Sequence, residues 1–122
     1  MALHTKIPIY RAGLDLLALA HRVQEQMPRG AKRTVGEKIA QHCIDILELM
    51  ALANASREQR AHYLRELLVR QRAVEVLLRV SFEARHVSPK LWAQAVQVLG
   101  SIGAQAGGWL KTSANPNRAP AA

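Results

Sequence analysis

The sequence predicts an all-α protein, arranged as an antiparallel up-down-up-down four-helix bundle. Three observations lead there. Leu, Ala, Gln, Glu and Arg dominate the 122 residues, and alternating β-rich segments are absent. Proline, glycine and capping residues cut the chain into four lengths with helical apolar periodicity. The connections between those lengths are short, which makes consecutive helices antiparallel neighbours. The length suits one domain, read as residues 1–111, followed by a tail at 112–122 whose Pro, Asn and Ala content predicts disorder.

Helix 1 opens near Pro8, whose missing N–H costs nothing in a first turn, and runs to about Met27, where Pro28-Arg29-Gly30 ends it. Ile7, Tyr10, Leu14 and Leu17 alternate three- and four-residue steps and are read as its bundle seam. Thr34-Val35-Gly36-Glu37 reads as a capping box for helix 2, with Thr34 as N-cap, and the helix extends to about Ala53. Asn54-Ala55-Ser56 is the next break. Ser56-Arg57-Glu58-Gln59 is a second capping box, opening a long helix 3 to about Arg85 with Tyr63, Leu67, Val74, Leu77 and Leu78 as its seam. Ser88 as N-cap and Pro89 at the first helical position start helix 4, which runs to about Lys111.

Helix 4 carries two adjacent apolar seams: Leu91, Ala95, Val98, Ile102 and Trp109, and beside them Trp92, Val96, Leu99, Ala106 and Leu110. A lone bundle buries one stripe per helix, so the wider stripe predicts a second surface to cover it. Gly100, Gly103 and Gly107 lie within the same helix, and glycines there permit close approach of another backbone. The chain is therefore expected to form a homo-oligomer through Trp92, Val96, Leu99, Gly103, Gly107, Trp109 and Leu110.

The charge is strongly positive, +8 from 17 Lys and Arg against 9 Asp and Glu, which favours an anionic partner. Arg29, Lys32, Arg33 and Lys38 cluster at the helix 1–2 junction, opposed only by Glu37. Residues 56–87 hold seven arginines against four glutamates, and residues 88–122 contain no acid. On helix 3, Arg65, Arg72 and Arg79 repeat every seven residues and so share a face. Glu75 and Glu83 lie on that stripe and can pair with Arg79. Arg57, Arg60 and Arg65 are less well balanced, with Glu58 and Glu66 as their nearest acids. The predicted nucleic-acid or partner-binding set is thus Arg29, Lys32, Arg33, Lys38, Arg57, Arg60, Arg65, Arg72 and Arg79. Arg70 falls among apolar positions instead, crossing an interface or lying with its stem along apolar surface. The five aromatics other than histidine are not interleaved with basic residues, so phosphate and shape should dominate over base stacking.

No catalytic constellation is read. Gly100, Gly103 and Gly107 are mid-helix and follow no strand, unlike a phosphate loop. The single cysteine, Cys43, excludes an intramolecular disulfide and is read as a packed thiol. One Glu-x-x-His, Glu83 to His86, falls short of the two that a carboxylate-bridged di-metal bundle needs, so neither metal nor cofactor is expected. His21 and His42 fall on helix seams as polar core or interface residues. There is no signal-peptide pattern and no apolar run near the roughly 20 residues that span a bilayer, so a soluble, cytoplasmic protein is expected.

The closing segment from Ser88-Pro89 through Gly107-Gly108-Trp109-Leu110 resembles the last helix of the accessory variability determinant (Avd) proteins of diversity-generating retroelements. Pro89, Gly103, Gly107, Trp109 and Leu110 match that pattern without a gap. Ala73 to Arg85 resembles the family's third helix, and Pro28-Arg29-Gly30 its first connection, so the resemblance covers roughly residues 8–111. It implies a homopentameric barrel with a basic surface, which binds the retroelement's reverse transcriptase and its structured template RNA or an RNA–DNA hybrid. The polymerase copies template RNA with errors at adenines, and the accessory protein supports that synthesis without performing it. The wider family also holds bundle proteins encoded in intervening sequences of 23S rRNA genes, which imply an alternative role as an RNA-binding or generic oligomeric scaffold. The individual arginines are not a family motif and stand on electrostatics alone.

Overall fold

The computed structural model describes residues 7–113, which form four long helices, with no strand among the described residues. Helix α1 is Pro8–Gln26. A short turn of helix at Arg29–Ala31 passes through a π-helical segment, Lys32–Gly36, into α2, Glu37–Ala55. Helix α3 is Arg60–Glu83 and α4 is Pro89–Ser113. Each helix packs on its neighbours in chain order, and α4 closes the ring against α1.

The entry to α2 differs from the capping box expected at Thr34. The helical path begins five residues earlier, where Pro28 is extended and its carbonyl accepts the Lys32 N–H at 2.9 Å. Thr34 is therefore inside the helical path, and its hydroxyl donates back to the Gly30 carbonyl at 3.1 Å. A π turn accommodates one extra residue within a helix. Here the Glu37 N–H bonds to Lys32, five residues back, and the Gln24 side chain of α1 donates to the same carbonyl at 3.2 Å. Gly36 lets the turn seat against α1, since a Cβ there would lie 3.0 Å from Gln24 and 3.1 Å from the Met27 sulfur.

The capping box at Ser56 forms by half. Its hydroxyl accepts the Gln59 N–H at 3.2 Å, whereas its own N–H bonds to the Leu52 carbonyl of the preceding helix. Ser88 does cap α4, accepting the Leu91 N–H at 3.2 Å with Pro89 first in the helix. Helix α3 stops at Glu83, two residues short of expectation. Arg85 adopts a left-handed φ of 63°. That allows the Arg85 N–H to reach the Phe82 carbonyl and the His86 N–H to reach that of Ser81, each at 2.9 Å. This double closure is the Schellman pattern, with arginine where glycine is usual. Helix α4 runs to Ser113, two residues past the predicted end, and the remainder of the expected tail, 114–122, lies outside the described residues.

The core uses a different stripe of α1 from the one predicted. Ile9, Gly13, Leu16, Ala20, Val23 and Met27 are buried, while Leu14 is 37 % exposed and Ile7, Tyr10 and Leu17 are half-buried. The predicted stripe turns polar at His21 and Gln24, whereas the buried one stays apolar through Met27. Gly13 faces Leu47 and Met50 so closely that a Cβ would sit 2.7 Å from Leu47 Cδ2, which fixes the spacing of α1 and α2. On α3, Leu64 joins Leu67, Val74 and Leu78 in the core, with Tyr63 and Leu77 half-buried. On α4, the buried stripe is Leu91, Ala95, Leu99, Ile102 and Ala106, which straddles the two predicted seams.

Candidate functional site

The α2 entry gathers Arg29, Lys32, Arg33 and Lys38 within about three turns of helical path. Arg29, Arg33 and Lys38 are exposed and Lys32 is partly so. Among the described residues none of these four forms an ion pair. The π turn and its bond from Gln24 fix the backbone that carries Lys32 and Arg33.

The α3 entry, by contrast, uses its arginine internally. Arg60 donates from Nε to the Ala53 carbonyl at 2.7 Å and from Nη2 to that of Asn54 at 3.3 Å. Those are carbonyls of the last turn of α2, at the negative end of its dipole. The same guanidinium lies over the Trp109 ring, 5.3 Å from its centroid. Burial, followed by the adjacent Arg57, lowers its pKa from the ordinary value. Arg60 thus ties the ends of α2 and α4 to the start of α3 and has little left to offer a ligand. The predicted basic set is consequently divided. The α2 and α3 entries lie at opposite ends of Glu37–Ala55, about 30 Å apart at 1.5 Å per residue.

Arg65, Arg72 and Arg79 are exposed along α3, as their spacing predicts. Among the described residues Arg79 pairs with neither Glu75 nor Glu83. The same face exposes Val69 (58 %), Val76 (61 %) and Val80 (53 %), so it is a mixed cationic and apolar strip. Sequence reasoning missed those valines. The signal was available, since Arg65, Val69, Arg72, Val76 and Arg79 follow one another at steps of four and three.

The set expected to mediate association also divides. Val96 is 38 % exposed, and Trp92, Gly107, Trp109 and Leu110 are partly exposed. Trp92 is already stacked on Phe82, with centroids 4.9 Å apart and planes 7° from parallel. Gly107 faces open space. Leu99 requires a correction: it is 1 % exposed and belongs to the chain's own core. Gly103 also serves an internal contact. A Cβ there would lie 3.1 Å from Gln71 Nε2, and that buried amide donates to the Leu99 carbonyl at 3.1 Å.

Arg70 is partly exposed, with Nε 3.8 Å from Asp45 Oδ2 on α2, an ion pair but too long for a hydrogen bond. His21 is exposed beside Leu14, Leu17 and Ile44, not in the core, and His42 is half-buried. Cys43 is fully buried, and desolvation pushes its thiol up to about 12, as a packed, unreactive sulfur requires. Glu83 is exposed, and among the described residues no group of three or more His, Cys, Asp or Glu is placed to hold a metal ion. No helix among the described residues is long and apolar enough to cross a membrane.

A model of the bAvd-like family matches residues 5–113, which takes in all four helices and both helix entries. The chain belongs to the bAvd-like family. No curated protein and no solved structure matches it. Family membership accords with a four-helix bundle of the Avd type and makes the chain an Avd-type accessory protein.

Proposed function

We propose that this protein is a non-catalytic accessory factor of a diversity-generating retroelement. It binds the element's reverse transcriptase and its structured template RNA, or an RNA–DNA hybrid, through a basic oligomeric surface, and so supports mutagenic cDNA synthesis. The observation that carries the reading is the family match over residues 5–113 together with a largely exposed basic cluster at the α2 entry that forms no ion pair among the described residues. Within a protomer the helices run antiparallel. Contacts of Ser88 N–H with Gln26 Oε1, and of Arg60 with Trp109, support that reading, because each joins the start of one helix to the end of another. Several copies, five by family resemblance, associate through the exposed parts of α4 around Trp92, Val96 and Gly107.

In this mechanism the protein does assembly, not chemistry. Copies pool their positive potential, neutralise phosphates and hold template and polymerase together. Binding releases counterions, so affinity for structured RNA falls steeply with salt. The test is co-purification with the reverse transcriptase encoded beside it, with RNA binding titrated from low to high salt. Capture of the polymerase and a steep salt slope support the reading. An RNA affinity indifferent to salt, or a mass of one chain by light scattering, overturns the assembly mechanism.

A further inference from the structure

The α3–α4 connection meets the α2 entry at one end of the bundle. The Ser88 N–H donates to Gln26 Oε1 at 2.9 Å, which pins that connection against the last turn of α1. Arg85 and Arg29 each stand three residues from this contact, within about 10 Å of chain. The stretches 27–36 and 84–90 hold Arg29, Lys32, Arg33, Arg85 and Lys90 and no acid. Arg85 and Lys90 are exposed, and neither forms an ion pair among the described residues. Arg85 also lines an open groove of about 540 Å³ with Phe82, Glu83, Val87, Ser88 and Pro89, so a ligand can reach it. Both residues stand where they cost stability. Arg85 holds a left-handed φ of 63° after α3, where a glycine would be unstrained. Lys90 lies in the first turn of α4, where the helix dipole disfavours a cation and no acid offsets it. Cationic side chains that cost stability and pair with nothing in the fold point to a partner outside it.

We propose that Arg85 and Lys90 bind the phosphate backbone of the structured RNA, extending the α2-entry cluster into one cationic surface across this end of the bundle. The proposal rests on the reading above that a basic surface binds RNA. It adds two residues that charge patterning did not select, and it names the end of the protomer that meets the RNA. Arg85 offers a planar fork of donors and Lys90 a point charge, and both suit phosphate oxygens. Such contacts carry no base information, so they add affinity without sequence preference.

The experiment uses the full chain and a labelled RNA hairpin, with affinity titrated against salt and stability followed in denaturant. Arg85→Gly and Lys90→Gln should each raise the denaturation midpoint, yet weaken RNA binding about fivefold at low salt. Each should also lower the slope of log affinity against log salt by about one. A variant that gains stability while losing affinity has not lost it by unfolding. Lys111→Gln removes the same charge about 32 Å along α4 from Lys90, at 1.5 Å per residue, and should leave the affinity nearly unchanged. Salt-sensitive RNA binding that Arg85→Gly and Lys90→Gln do not weaken, or that Lys111→Gln weakens as much, overturns this surface and leaves the basic-surface reading standing. An absence of RNA binding in every form overturns both.

Discussion

The entries to α2 and α3 are both rich in arginine, yet they use it in opposite ways. At the α2 entry, Arg29, Arg33 and Lys38 are exposed, and none of them forms an ion pair among the described residues. At the α3 entry, Arg60 is committed to two carbonyls and an indole ring. The net charge counts these residues alike, but Arg60 has little left to offer a polyanion. The difference arises from chain geometry. Arg60 begins a helix directly after another ends, so unpaired carbonyls lie within its reach. The α2 entry follows a proline at the start of a helical path, where the free backbone groups are N–H donors that cannot engage a cation.

The largest effect should come from changing Arg29, Lys32 and Arg33 together to Ala. At about 1 kcal/mol per lost charged contact, RNA affinity falls on the order of a hundredfold at low salt, with a shallower salt slope and an unchanged melting curve. A normal affinity would remove the α2 entry from the interface and break the contrast. Arg60→Ala should do the reverse. Losing the carbonyl contacts and the ring contact should lower stability by about 2 kcal/mol in denaturant titrations, while the folded protein binds RNA nearly as before. Arg60→Lys should recover only part of that stability, because an ammonium lacks the planar fork.

Glycines on α4 sharpen the same distinction between what is used and what is offered. Gly107→Ala adds a methyl into open space and should stabilise an isolated protomer by about 1 kcal/mol through helix propensity. If copies pack there, a loss of assembled mass by light scattering accompanies the change. Gly103→Ala meets Gln71 and should give no such gain. The smallest effect concerns Arg85. Replacing it with Gly relieves a left-handed φ of 63° and should raise stability by up to about 1 kcal/mol, read as a shift in the denaturation midpoint.

Much of the architecture was legible because the breakers are strong. Pro8 and Ser88-Pro89 place two helix starts, and Pro28 the end of α1, through backbone chemistry that acts locally, and the capping hydroxyl of Ser88 forms the expected bond. The choice of stripe was harder, since α1 offers two apolar rows and only their continuation, His21 against Val23 and Met27, tells them apart. Thr34 misled because its hydroxyl serves a helix interior as readily as a cap. For the candidate site, spacing alone identified the exposed α3 arginines. The role of Arg60 was not legible, because it depends on Ala53, Asn54 and Trp109 meeting one guanidinium, and contacts over such separations leave no local trace. The family resemblance read from the Pro89-to-Leu110 register agrees with the family match.

The π turn at Lys32–Gly36 has a consequence for how this surface could be varied. Each residue of an α-helix advances the azimuth by about 100°, so a single added residue rotates everything upstream by roughly that angle while downstream packing keeps its phase. Arg29 and its neighbours are therefore aimed by a one-residue offset, independently of the core positions Ile39, Cys43 and Ile46 that hold α2 in place. Deleting one residue within this segment would re-aim Arg29 relative to Lys38 and would disturb the contact that seats Gly36 against Gln24 and Met27.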